Sequence, residues 1–399
     1  MNTLRDAFLQ HVCQTSPEPM GIEVARAHGC TVVDKNGKEY LDLLSGIGVA
    51  SIGHTHPAVV RAIKEQSERY LHTMVYGEYI QEPQVRLAQR LAEVAPPPLS
   101  VTYFTNSGTE AIEGALKTAR KHTGRSRFVS FLGSFHGDTF GSLSVGGNPL
   151  YREPFEPLLP TVAFLPFNDL EALKQIDETV AAVIIEPIQG EGGVRIPDDA
   201  YLPALRHRCR EVGALLIFDE VITGFGRTGK LFASEHWQVT PDIMVLAKAL
   251  GGGMPLGAFV STPDIMATLA HDPPLAHVTT FGGHPVCCAA GLASLDVILH
   301  EDLPQHATEK GQALQQQLCD LIGLGGCTAV RGRGLLIGMD FTTPEATRAF
   351  VQKCFAAGLV LGWTLHRDTV VRLAPPLIIS TAEMDHAVTI MHSALSNNK

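Results

Sequence analysis

The sequence has no C-x-x-C pair among its eight cysteines (Cys13, Cys30, Cys209, Cys287, Cys288, Cys319, Cys327 and Cys354). Thiols so scattered in a chain this long do not read as a disulfide framework, and ordinary packing thiols are expected. No run of about 18 apolar residues occurs, and the first twenty residues lack the basic head and apolar stretch of a secretory leader. A soluble, cytoplasmic protein is expected. Positive charge is in deficit: 31 Lys plus Arg face 41 Asp plus Glu, a formal net charge of −10, which argues against nucleic acid or an anionic membrane as main partner. Repeats and low-complexity tracts are missing too, so the chain is neither a solenoid nor a linker. The His54-Thr55-His56 triplet has no further Cys or His at ligand spacing and is bounded by Gly53 and Pro57. It reads as a turn, and no metal is expected.

What is present is 399 residues, 45% of them hydrophobic, enough for two or three domain-sized cores and a deep site. Apolar strand-like runs are read at 101–106, 127–131, 181–186, 214–219 and 243–247, with helical spacing over 109–121 and 200–212. Near-continuous apolar strands, alternating with helices, predict an α/β fold with a mostly parallel sheet covered on both faces. Beyond residue 300, helical patterns at 304–321 and 344–357 alternate with runs at 335–341 and 369–373, which suggests a smaller α+β domain. Short strands at 30–33 and 40–43 flank the turn at Lys35-Asn36-Gly37. The expected division is a large domain over 50–295 and a small one over 296–399, with residues 1–49 joining the latter. Pro96-Pro97-Pro98 reads as a stiff connector.

In an open parallel sheet, ligands gather outside the carboxyl ends of the strands, so polar residues closing apolar runs deserve first scrutiny. Ser107, Gly108 and Thr109 at a helix start offer hydroxyls and free N–H groups suited to a phosphate, although Ser107 as a plain N-cap is the simpler local reading. The string is neither a G-x-x-x-x-G-K-[ST] loop nor a G-x-G-x-x-G turn, which weakens a nucleotide reading. Asp219 ends an apolar strand where a buried carboxylate needs a cationic partner. Lys248 follows another apolar strand and precedes a glycine run. A desolvated amine there becomes a nucleophile toward aldehydes, against the simpler reading of a snorkelling lysine. Together, a phosphate cradle, an acid for a cationic ring and an aldehyde-trapping amine describe a site for pyridoxal phosphate. Arg372, on the apolar run Val370-Val371-Arg372-Leu373, needs a carboxylate, either from a structural ion pair or from a substrate.

The ordered motifs Gly53-His54-Thr55-His56-Pro57, Thr105-Asn106-Ser107-Gly108-Thr109-Glu110-Ala111, Phe135-His136-Gly137, Glu186-Pro187-Ile188-Gln189-Gly190-Glu191-Gly192-Gly193, Asp219-Glu220-Val221-Ile222-Thr223-Gly224, Lys248 and Thr279-Thr280-Phe281-Gly282-Gly283 resemble the class III pyridoxal-phosphate aminotransferases of fold type I over nearly the whole chain. The resemblance implies that Lys248 carries the cofactor as a Schiff base and shuttles the proton, and that Asp219 pairs with the pyridine nitrogen. It implies that Ser107, Gly108 and Thr109 bind phosphate, that Phe135 and Val221 cover the two ring faces, and that His136 and Ile222 complete the cofactor contacts. It further implies a homodimer with shared sites in which Thr280 reaches the neighbour's phosphate, Thr279 lies at the substrate, and Arg372 holds the acceptor's carboxylate with Glu191 as its movable partner.

Two positions depart from the acetylornithine and ornithine aminotransferase subgroup that this chain otherwise resembles. Asp138 stands where that subgroup has an arginine for the donor's carboxylate, and Ile222 stands where it has a glutamine. His-Gly-Asp-Thr resembles diaminopelargonate aminotransferases, and Asp-Glu-Val-Ile-Thr-Gly resembles broad ω-amine transaminases. The expected function is transfer of an amino group from an ω-amino donor (acetylornithine, ornithine or 4-aminobutyrate-like) to an α-keto acid such as 2-oxoglutarate. The alternatives are a diaminopelargonate-type or ω-amine:pyruvate transaminase, or a racemase or aminomutase on the same fold, because electron withdrawal alone does not choose which bond breaks.

Overall fold

The computed structural model describes residues 3–396. Its centre is a seven-stranded sheet made of β1 (Val101–Thr105), β2 (Arg127–Phe131), β3 (Val162–Leu165), β4 (Val180–Ile185), β5 (Leu215–Asp219), β6 (Ile243–Leu246) and β7 (Gly257–Ser261). The spatial order is β1-β7-β6-β5-β4-β2-β3. Five of these strands, β2 to β6, run parallel, as their mostly apolar composition predicts. Sequence reading did not find β7, which lies antiparallel between β1 and β6. It follows the glycine run that had suggested only a flexible loop, and five residues carry little pattern of their own.

Side chains alternate across the sheet. Val183, Ile185, Leu216 and Phe218 pack with Tyr201, Leu202 and Leu205 of helix Tyr201–Val212 on one face. Ala182, Ile184 and Ile217 pack on the other face with Ala111, Ile112 and Ala115 of helix α1 (Gly108–Thr123). Each fully buried Ile or Phe contributes roughly 1.5–3 kcal/mol, and the period of two fixes what the strand ends must do. Asp219 has the parity of Ile217, so it emerges on the α1 side of the sheet, where the α1 N-terminus lies. The parity of an apolar strand thus aims a lone carboxylate at a helix start.

Helix α1 begins where its sequence says it should. Ser107 is the N-cap, its hydroxyl accepting the Glu110 N–H at 3.3 Å, and Gly124 closes the helix with φ 68°. Two smaller sheets flank this core. Cys327–Arg333, Leu336–Phe341, Arg367–Leu373 and Gly362–Thr364 form an antiparallel sheet in that order. Val24–His28, Thr31–Asp34 and Glu39–Asp42 form another, to which Leu359–Val360 adds a parallel strand. Among the described residues no helix is long and apolar enough to cross a membrane.

Candidate active site

A cavity of about 750 Å³ opens at the carboxyl edge of the large sheet, and most of the polar residues singled out from the sequence line it. Asp219 arrives from the end of β5, Glu186 from just beyond β4, Lys248 from two residues beyond β6, and Ser107, Gly108 and Thr109 from the turn between β1 and α1. Phe135, His136, Asp138, Glu191, Val221 and Ile222 complete that set.

Asp219 is only 4% exposed, so its carboxylate must be satisfied from within. The Val221 N–H donates to Oδ1 at 3.0 Å, and Nδ1 of His136 lies 2.7 Å from Oδ2. A carboxylate acceptor fixes the imidazole proton on Nδ1, which leaves Nε2 of this buried histidine without a partner. Glu186 is equally enclosed. Its carboxylate accepts the N–H of Phe135 at 2.9 Å and that of Gly190 at 2.8 Å, tying the two loops that cover the cavity. Burial pushes its pKa up to about 7, with His136 opposing and Asp219 adding to the rise. A carboxyl whose folded pKa exceeds its unfolded value of 4.5 gives up stability as pH rises from 4.5 to about 7. The stability difference between the wild type and Glu186→Gln is therefore expected to shift by about 3 kcal/mol against the wild type across that window. Urea unfolding at pH 5 and pH 8 measures it, and a pH-independent difference contradicts the assignment.

Lys248 is half-buried and adopts φ 49°, a left-handed conformation unusual for a residue with a side chain. Such strain, of order 1–3 kcal/mol, persists where the surroundings over-determine it, commonly at functional sites. Burial, reinforced by the positive charge of Arg372, brings its amine down to about 8, while Glu191, Asp219 and Glu186 resist the fall. At neutral pH the amine is close to losing its proton, as a base or nucleophile requires.

Arg372 and Glu191 form a buried ion pair, and Glu191 also accepts the Leu365 N–H at 2.8 Å. Burial alone would raise the Glu191 carboxyl. Arg372, the Leu365 N–H and Lys248 together outweigh burial and hold it below its usual range. Above the pair, His366 packs edge-on to Phe135 at 5.7 Å and stacks on Tyr151 at 5.1 Å. These two residues were not read from the sequence, since the contact joins positions 215 apart with no local pattern to announce it.

Two expected site residues, Thr109 and Thr279, have different surroundings from those imagined, while Thr280 was expected to serve a neighbouring copy. The Thr109 hydroxyl is engaged with Thr139 at 2.8 Å and Ser142 at 2.6 Å, so its backbone N–H is the group left for an anion. Thr279 accepts from Asn106 at 3.1 Å and is not a lining residue of the cavity, and Thr280 is exposed and also outside the lining. Gly108 is needed for close approach, because a Cβ there would lie 3.1 Å from Val221.

These residues fit a planar ring with a phosphate at one end and an aldehyde at the other. The first turn of α1 suits the phosphate, Phe135 and Val221 provide apolar walls, and a buried acid faces the same space as a depressed amine. The unpartnered Nε2 of His136 marks a polar atom in the lining that awaits a donor.

Residues 12–395 match the family described as aminotransferase class-III. An acetylornithine aminotransferase of Methanopyrus kandleri is 44% identical over 375 residues, 94% of each chain. Among solved structures, the ornithine aminotransferase of Toxoplasma gondii superposes with a TM-score of 0.91 at 32% identity, covering 99% of this chain and 95% of that one. An amine transaminase from an uncultivated Pseudomonas species, solved in a PLP-bound form, has a TM-score of 0.89 at 31% identity, with coverage of 96% and 99%.

Proposed function

The chain belongs to the class-III aminotransferases, and from that premise we propose that it holds pyridoxal 5'-phosphate on Lys248 and moves the amino group of an ω-amine to an α-keto acid. The observation that carries this reading is the convergence of Lys248 and Asp219, from the ends of neighbouring parallel strands, on one cavity. When bound, the cofactor supplies an aldehyde that condenses with amines and a ring that withdraws electrons from the bond to be broken.

The protein's residues do the rest. The N–H groups of Gly108 and Thr109, at the positive end of a 16-residue helix, hold the phosphate. Phe135 and Val221 clamp the ring, an aromatic face contact contributing roughly 0.5–1.5 kcal/mol beyond burial. Asp219, its oxygens oriented by His136 and Val221, keeps the ring nitrogen protonated. Lys248 Nζ would take a proton from the donor carbon and return it during the transfer. Arg372 receives the carboxylate of the keto acid once Glu191 swings aside, and reclaims Glu191 when an amine without that carboxylate enters. Two copies of the chain share their sites, the exposed Thr280 of one completing the phosphate contacts of the other.

The direct test uses the protein with added pyridoxal phosphate. A visible absorbance band is expected, and borohydride should reduce the linkage so that a digest shows the cofactor on the peptide containing Lys248. Attachment elsewhere, or no band, rejects the reading.

A further inference from the structure

The charges lining the cavity are lopsided. Asp138, Glu191, Asp219 and a Glu186 whose charge burial weakens near neutral pH are set against the single amine of Lys248, and three of the four carboxyl groups are already committed. Asp219 has His136 and Val221, Glu186 has two backbone N–H groups, and Glu191 has Arg372 and the Leu365 N–H. Asp138 has neither a hydrogen bond nor an ion pair among the described residues, although it lines the cavity three residues from the Phe135 wall. The nearby His366 imidazole is held below its ordinary pKa by burial, so at neutral pH it brings no positive charge to that corner. Arg372, which acts on Lys248 from behind the lining, is occupied by Glu191.

A donor with its reactive amine at Lys248 shares this cavity with Asp138, which is exposed at its lining. A carboxylate tail there meets Asp138 with no cation to offset the repulsion, unless it opens the Arg372–Glu191 pair. An ammonium tail meets a free carboxylate and leaves that pair closed. Phe135 lines the same cavity, backed by His366, which stacks on Tyr151, and a carboxylate beside an aromatic wall is the chemistry that recognises an alkylammonium.

We propose that the donor is a dication, an alkane-α,ω-diamine or longer polyamine whose second ammonium pairs with Asp138. The proposal rests on the aminotransferase reading and names its substrate class. The reaction balances without an outside oxidant. The terminal carbon of the diamine loses its amino group and one hydrogen and takes the keto acid's carbonyl oxygen. The keto acid carbon gains the amino group and the hydrogen, giving an aminoaldehyde and an amino acid.

The experiment uses holoenzyme with 2-oxoglutarate and compares kcat/KM for 1,4-diaminobutane, its mono-N-acetyl derivative, N-acetylornithine and 4-aminobutyrate. Calorimetry adds the affinity of N,N,N',N'-tetramethyl-1,4-diaminobutane, a dication that cannot transfer. The diamine is expected to exceed its acetylated form by about tenfold or more, equivalent to at least about 1.4 kcal/mol. Asp138→Asn should bring that ratio close to one and weaken the unreactive dication to the same degree, while Asp138→Arg should shift preference toward 4-aminobutyrate. Equal use of diamine and acetylated diamine, preference of the wild type for N-acetylornithine or 4-aminobutyrate, or an Asp138→Asn loss equal for every donor each overturns the proposal and leaves transamination intact. Failure of every amine to convert 2-oxoglutarate strikes the aminotransferase reading itself.

Discussion

Replacing Lys248 by alanine is expected to leave the fold intact and slow transfer by about a hundred- to ten-thousandfold, the range a positioned acid–base group contributes. The residue lines the cavity without any hydrogen bond that organises neighbouring segments, so its removal costs chemistry and not architecture. The size of the effect follows from a double role, covalent anchor and proton carrier, which no nearby side chain can assume. The other titratable groups of the lining are the four carboxylates and His136, and His136 is fixed against Asp219 at 2.7 Å. Single-turnover mixing with an amine donor, followed by absorbance, measures the loss, and full activity in the variant ends the assignment.

The same residue carries a stability signature of opposite sign. The Lys248 amine is depressed from 10.5 to about 8, chiefly by burial and then by Arg372. Below about 8 the folded, cofactor-free protein bears a charge it has difficulty solvating, and stability rises as pH climbs from about 8 toward 10.5, where the unfolded chain still holds the proton. Lys248→Met should therefore be more stable than the wild type at pH 7 by about 3 kcal/mol, and the advantage should vanish above pH 10.5. Thermal denaturation of cofactor-free protein across that range reads both ends. An enhancement of stability combined with loss of turnover is the pattern of a residue kept for function against its own electrostatic interest.

The legibility of this molecule in its sequence follows the range of the interactions involved. Strands β4 and β6 are apolar along their whole length and β2 and β5 nearly so, and the ends of β5 and β6 could be placed within a residue or so because Asp219 and Lys248 interrupt the run. Helix α1 was readable from Ser107 and the spacing of Ala111, Ile112 and Ala115, all local signals. The antiparallel β7 was not, since nothing in Gly-Ala-Phe-Val-Ser states which neighbours it will take. At the site, residues closing strands stood out, whereas the corner built by Tyr151, Phe135 and His366 exists only through tertiary contact. Thr109 shows the remaining gap: residue type suggested a free hydroxyl, and Thr139 and Ser142, 30 and 33 positions away, occupy it.

Arg372→Ala is expected to lower kcat/KM for 2-oxoglutarate by about a hundredfold or more, since charge-assisted hydrogen bonds contribute roughly 1.5–3 kcal/mol each and a guanidinium can make two to one carboxylate. Turnover of a carboxylate-free amine in the first half-reaction should change far less, because that substrate never needs the arginine. The stability consequence falls on Glu191. In the wild type Arg372, the Leu365 N–H and Lys248 outweigh burial and keep this carboxyl below 4.5, so its contribution is present above 4.5 and lost as pH falls through the folded value. Without Arg372 burial dominates, the folded pKa rises above 4.5, and stability is instead lost as pH increases. The unfolding free energies of wild type and variant should consequently diverge as pH rises from 5 to 8. Adding Glu191→Gln to Arg372→Ala should close that gap without restoring use of the keto acid, which separates the arginine's service to a neighbour from its service to a substrate. Equal losses for 2-oxoglutarate and for the amine, with no pH-dependent divergence, would identify Arg372 as a strut of the strand Arg367–Leu373 and nothing more.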